Sequence, residues 1–170
     1  MTQSTDDAFE LRQAGSGDAD AIRRLTREAY AKWIPTSGRE PTPMTANYDA
    51  AVRDHRFDLL FFEGALAALI ETIDEADQLL IENVAVAPRF QRRGLATRLI
   101  AIAEHLALQR GYRRVRLYTN QLWDENVRLY LKLGFVVDSE QAIGGGLVRV
   151  NMSKRLEPLA QASISAGPAG

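Results

Sequence analysis

The sequence contains no cysteine. That removes a disulfide framework, a thiol nucleophile and any thiolate metal site, and it suits a reducing compartment. No stretch approaches the ~20 consecutive apolar residues of a membrane-spanning helix, so no membrane partner is expected. The opening M-T-Q-S-T-D-D is polar and acidic and lacks an apolar h-region; no secretory signal is expected, and the default location is cytoplasmic. There is no G-x-x-x-x-G-K phosphate loop, G-S-G-D-A-D from Gly15 lacks the third glycine of a dinucleotide loop, and no G-x-S-x-G elbow occurs. His55 and His105 stand apart without metal-ligand spacing and read as surface or helix-face residues, so no metal is expected.

What is present is the make-up of one soluble domain. With 170 residues, 46% apolar and 25% charged, the chain is long enough to bury a sizeable core. Its net charge of −1 hides an asymmetry: from Arg89 to Arg116 eight arginines face one acid, Glu104. Such a stretch suits nucleic acid, a membrane surface or a phosphorylated ligand. Nucleic acid is disfavoured by the overall charge and by the absence of aromatic residues interleaved with basic ones. Arg110, Arg113 and Arg114 can equally form a solvated face.

Periodicity orders the elements. Phe9 onward alternates as a strand that leaves through A-G-S-G-D, with Asp18 expected to cap a helix from about Ala19 to Lys32. Three prolines and a glycine between Pro35 and Pro43 predict an extended loop, followed by a short helix from about Thr45 to Arg53. Phe57 to Ile73 reads as a hairpin turning at Glu63-Gly64, and Leu79 to Val86 as a third strand. A helix from Gly94 to about Gln109 is expected to bury Leu95, Leu99, Ile102 and Leu106, and to stop at Gly111. A strand with Val115 and Leu117 inward follows, then a helix from Asp124 or Glu125 to Leu133, then strands at Phe135–Asp138 and Leu147–Met152. Residues 1–8 and 157–170 have no sustained periodicity and are expected to be disordered, leaving one domain over 9–156.

The chain is organised around Val84 to Ile100. An apolar strand ends at Pro88, an arginine-rich turn follows, and Gly94 opens a helix. The first N–H groups of a helix lack intrahelical partners and sit at the positive end of its dipole, so this is an anion-binding device. Q-R-R-G-L-A, from Gln91 to Ala96 after V-A-V-A-P, resembles the acetyl-CoA signature of the GNAT N-acetyltransferases, Gln/Arg-x-x-Gly-x-Gly/Ala. A second family-like segment, L-Y-L-K-L-G-F from Leu129 to Phe135, follows it. The resemblance covers roughly Phe9 to Leu156.

The resemblance implies an α/β (α+β) fold: a mixed, mostly antiparallel sheet of about seven strands with helices on both faces. The sheet would splay after the fourth strand to admit the pantetheine of acetyl-CoA, the co-substrate. The free edge at Val84, Ala85 and Val86 would pair with that arm, one N–H polarising the thioester carbonyl. Gln91, Arg92, Arg93, Gly94, Leu95, Ala96 and Thr97 would hold the pyrophosphate. The activity implied is acetyl transfer to a primary amine of a small-molecule or peptide acceptor, by direct attack. The alternative is a non-catalytic module that binds or senses acyl-CoA, and a homodimer is one assembly open to the chain.

Two residues stand out for chemistry. Tyr130 lies where the family commonly places a general-acid tyrosine; it is otherwise a core aromatic. Glu82 interrupts the apolar L-L-I-E-N-V-A-V, and a partly buried carboxylate is a stronger proton acceptor, so it is either a base or an edge residue paired with an arginine. The family asparagine seven positions before the tyrosine is replaced here by Trp123; Asn126, one turn later, either caps its helix or contacts the pantetheine amide. Trp33, Tyr48, the Pro35–Pro43 loop, Trp123 and Arg149 are candidates for the acceptor pocket, and nothing in them names an amine.

Overall fold

The computed structural model describes residues 8–158. The ends expected to be disordered lie almost wholly outside them. Strand β1 (Phe9–Gln13) leads to a short turn that Asp18 closes in an unexpected way. Its carboxylate accepts from Gly15 N at 2.8 Å and pairs with Arg12 at 2.9 Å, so it fastens the preceding turn and does not cap the helix. Helix α1 (Ala19–Tyr30) then buries the stripe Ile22, Leu25, Ala29 and Tyr30.

The proline-rich stretch differs from expectation. It forms two helical turns, α2 (Ile34–Ser37) and α3 (Thr42–Thr45), each with a proline in its first turn. Proline is tolerated there because that N–H has no intrahelical acceptor. Helix α4 (Tyr48–Asp54) starts later than expected because Asn47 caps it, its side chain accepting from Ala50 N at 3.2 Å.

β2 (Arg56–Phe62) and β3 (Ala65–Asp74) form the expected hairpin, with both turn residues, Glu63 and Gly64, at positive φ. That two-residue geometry matches the twist of the strands it joins. The chain continues through β4 (Leu79–Val86), α5 (Leu95–Gln109), β5 (Arg114–Asn120), α6 (Asp124–Lys132), β6 (Val136–Ala142) and β7 (Val148–Arg155). The sheet order is β1-β2-β3-β4-β5-β7-β6, antiparallel throughout except where β4 meets β5.

α1 and α5 both pack on β3 and β4. On α5 the sheet takes the i+4 ridge of Leu95, Leu99, Ala103 and Ala107 with Ile100 beside it, so Ile102 and Leu106, expected in the stripe, are only half-buried. β6 runs four residues past its expected end at Asp138. It is the exposed edge strand, and burial leaves no alternation there to read. Among the described residues no helix is long and apolar enough to cross a membrane.

Candidate active site

Two features open the sheet next to β4. β4 and β5 pair only over Leu79–Ile81 against Val115–Leu117. On its other side β4 carries a bulge: Glu71 faces Asn83 and Thr72 faces Ile81, so Glu82 is an extra residue without a cross-strand partner. From Glu82 to Val86 one edge of β4 therefore pairs with no strand, and α6 lies across the gap. The splay that the resemblance implies is present.

The loop after β4 is built mostly from its own side chains. Phe90 is buried, with the guanidiniums of Arg89 and Arg93 at 5.0 and 5.3 Å from its ring. Gln91 Nε2 donates back to Val86 O at 3.2 Å. Arg92 (φ 63°) and Gly94 (φ 77°) both adopt the left-handed conformation. Left-handed Gly94 followed by helical Leu95 turns successive N–H groups to one side. The first helical bond runs from Arg98 N to Gly94 O at 3.0 Å, so the N–H groups of Leu95, Ala96 and Thr97 have no acceptor among the described residues.

Those groups border a cleft of about 1180 Å³. Val84, Val86, Gln91, Arg92 and Gly94 to Thr97 line one wall, and Asn126, Leu129 and Tyr130 of α6 the other. Two expected residues do not present side chains to it: Ala85 faces the core, and Arg93 turns onto Phe90. Asn126 is not a helix cap, since Trp123 holds that position, and its amide makes no hydrogen bond among the described residues. Tyr130 is 8% exposed, with its ring 6.0 Å from that of Phe135. Burial alone pushes its phenol up to about 12.

The charge of the Arg89 to Arg116 stretch is distributed differently from its sequence. Arg110 pairs with Asp74 at 2.6 Å, Arg116 is held bidentately by Glu75, and Arg114 reaches Asp138 at 3.3 Å. These arginines are taken up in ion pairs, and Arg92 is the guanidinium that lines the cleft.

A second cleft of about 580 Å³ opens on the far side of Glu82. Glu82 is half-buried and accepts from Tyr118 Oη at 2.6 Å. Burial and the Glu82 charge together push the Tyr118 phenol well up. Arg149 stacks over the Tyr118 ring at 4.5 Å. Arg149, Trp123 and parts of the proline-rich stretch line this cleft as expected; Trp33 and Tyr48 do not. Trp33 stacks on Trp123 at 5.5 Å and borders the larger cleft. Tyr48 is a core residue whose hydroxyl donates to Pro43 O at 2.6 Å. A smaller space of about 270 Å³ lies between the two clefts, and Glu82, Tyr118, Asn126 and Tyr130 all border it.

Sequence reasoning missed three members of this neighbourhood. Tyr30 borders both clefts and donates to Asn83 Oδ1 at 2.8 Å, but in sequence it is one aromatic in a helical stripe. Glu71 is 4% exposed and lies 2.6 Å from His55 Nδ1, so His55 is not the lone surface histidine expected. Its burial raises the Glu71 carboxyl, with His55 opposing. The signal was available: Glu71 interrupts an apolar run just as Glu82 does. Thr119 was hidden inside β5.

A sheet opened beside a bulge, with free N–H groups at one end of the gap and a buried phenol in its wall, makes an elongated cleft that can hold an anion at one end. The sequence profile of the acetyltransferase (GNAT) family matches residues 19–135, and the chain belongs to that family. Comparison with curated protein sequences finds no match. Solved structures share the fold. The PaiA N-acetyltransferase of Thermoplasma acidophilum in complex with coenzyme A has a TM-score of 0.72 at 18% identity, covering 86% of this chain and 98% of that one. A GNAT family acetyltransferase of Elizabethkingia anophelis with acetyl-CoA bound scores 0.65 at 15% identity, covering 88% and 99%. A ribosomal-protein alanine N-acetyltransferase of Escherichia coli scores 0.69 at 19% identity, covering 92% and 98%.

Proposed function

We propose that the chain transfers an acetyl group from acetyl-CoA to a primary amine by direct attack, with Glu82 accepting the amine proton and Tyr130 donating towards the leaving sulfur. The observation that carries this reading is that Tyr130 and Glu82 border one small space between two clefts. One cleft has the free β4 edge and the unpaired N–H groups of α5; the other is open to an acceptor.

The residues present fit acetyl-CoA. Leu95, Ala96 and Thr97 N–H with Arg92 would hold its pyrophosphate, and the unpaired edge from Val84 to Val86 would take its pantetheine. Bound there, acetyl-CoA supplies the activated acyl group. The protein supplies position, a proton acceptor and a proton donor. Tyr118 fixes the Glu82 carboxylate by its 2.6 Å hydrogen bond, which leaves the other carboxylate oxygen to receive a proton, directly or through water. Tyr130 has a phenol that stays protonated in neutral solution and is free to donate.

The test is release of free thiol from acetyl-CoA with a panel of amines. Release that depends on the amine supports the reading. Tight acetyl-CoA binding with no turnover across a broad panel would point instead to a binding or sensing role, and nucleic-acid binding with steep salt dependence and no affinity for CoA would sink it.

A further inference from the structure

The acceptor-side cleft has a charge pattern that the transfer reaction does not use. Among the described residues that line it, Glu82 is the one acid, and the cations are Arg39 and Arg149. Arg149 belongs to β7 and is held in place by the Tyr118 ring, the same phenol whose hydroxyl fixes Glu82. Arg39 comes from the connection between α2 and α3. Neither guanidinium forms an ion pair with any described residue, whereas Arg110, Arg114 and Arg116 all do. Thr119, 6% exposed, also lines this cleft.

We infer that the acceptor is a small primary amine that also carries an anionic group, held through that anion by Arg149 and Arg39 with its amine directed to Glu82. This rests on the acetyltransferase reading and names the substrate class of the same site. The physical case is complementarity. A guanidinium offers a planar fork of donors that matches a carboxylate or phosphate, and stacking on Tyr118 fixes that fork in advance. The cleft opens beside Glu82, where a small molecule can enter it. Trp123, Ile143 and Leu147 add apolar wall beside these charges, which lowers the local dielectric and strengthens the ionic contacts.

The test compares acceptors that differ only in the anion: phenylalanine against phenylalaninamide, and O-phosphoethanolamine against ethanolamine. In the wild-type protein the anionic member of at least one pair should have a kcat/KM higher by about tenfold or more, the yield of one charge-assisted contact. The pair that shows the preference distinguishes carboxylate from phosphate. In Arg149→Gln and in Arg39→Gln that ratio should fall towards one. Equal or faster acetylation of the neutral members would overturn the inference and leave the acetyltransferase reading intact. A second readout separates the two failures. With CoA present, N-acetylphenylalanine or N-acetyl-O-phosphoethanolamine should bind more tightly by calorimetry than its neutral counterpart, and Arg149→Gln should abolish the difference. If no amine releases thiol yet this binding difference holds, the transfer reading fails and the anion site stands. If neither product binds preferentially, the anion site is refuted.

Discussion

Replacing Tyr130 by Phe removes one oxygen and little else. Burial is the single cause acting on that phenol and no hydrogen bond contributes, so the variant loses no bond that supports the fold. Its stability to urea should stay within about 0.5 kcal/mol of wild type. The chemistry should not. A phenol at about 12 remains protonated throughout neutral solution. Against a free thiol near ~8.5 in water, complete transfer of the proton to sulfur is uphill, by on the order of 5 kcal/mol. The same buried cleft would also raise the thiol and narrow that gap. In the proposed reaction the dominant contribution of Tyr130 would therefore be a hydrogen bond that strengthens as charge builds on the leaving sulfur. Loss of one preorganised donor of this kind typically lowers kcat by about 10²- to 10³-fold. Because the bond is realised chiefly in the transition state, the affinity for acetyl-CoA should change by less than about twofold. The wild-type rate should also show no basic limb from Tyr130 below about pH 10. Thiol release at saturating acceptor, calorimetric acetyl-CoA binding and urea titration measure the three quantities. A kcat within about threefold of wild type, or equal losses in kcat and affinity, would refute the argument and reduce the hydroxyl to a wall of the cleft.

Other perturbations isolate other parts. Glu82→Gln keeps an acceptor for Tyr118 but removes the base; kcat/KM should fall about 10²-fold at neutral pH, and the deficit should shrink as pH rises and the amine becomes neutral unaided. A deficit independent of pH would remove the base assignment. Gly94→Ala meets no atom within 4 Å of its new Cβ, so its effect is conformational. Forcing alanine to φ 77° should cost about 1–2 kcal/mol of urea stability, and relaxation of the loop should weaken acetyl-CoA binding; unchanged values in both would mean the loop tolerates another backbone. The hydrogen bond from Arg12 lowers the Asp18 carboxyl to about 2. A folded value below the unfolded one means that this stabilisation is full above the ordinary carboxylate value and is lost as pH falls towards 2. Asp18→Asn should lack that acid-side loss, which screening at the exposed Arg12 limits to about 1 kcal/mol. Burial raises Glu71, the opposite case: its contribution is present below the ordinary carboxylate value and is lost as pH rises through the raised one, His55 offsetting part. Glu71→Gln should flatten the decline of urea stability on that side, and an unchanged slope would show the carboxylate to be fully compensated.

What the sequence made legible was whatever a short window encodes. The β2–β3 hairpin announces itself by Glu63-Gly64, and α5 by its ridge and Gly94. The loop from Gln91 to Thr97 is contiguous, so the helix start at Gly94 and its unpaired N–H groups are readable from that window alone. The proline stretch was misread because the same residue that ends one helix is favoured in the first turn of another. The second cleft was legible only in part: Trp123, Arg149 and the proline-rich stretch were named for a pocket, but not the residues that join them. Tyr30, Arg39, Thr119 and Arg149 come from α1, a loop, β5 and β7, and only the insertion of β7 between β5 and β6, together with the splay, brings them to one cleft.

The point at which the sheet opens is nevertheless marked in the chain. Pairing of β4 with β5 ends at Ile81, and the next residue is the extra one in the bulge against β3. A bulged residue has no cross-strand neighbour, so a carboxylate there displaces no apolar pair from the ladder. Glu82 thus sits where pairing with β5 ends and pairing with β3 skips a residue, and the strand beyond it has one free edge to offer a ligand. On β3 the register shifts between Glu71 and Thr72, so the two carboxylates that interrupt apolar strands lie at one irregularity. Either alone reads as a strand anomaly. Taken as a pair on consecutive strands of a hairpin-like sheet, they locate the break, and with it the junction where the acyl donor and the acceptor amine would meet.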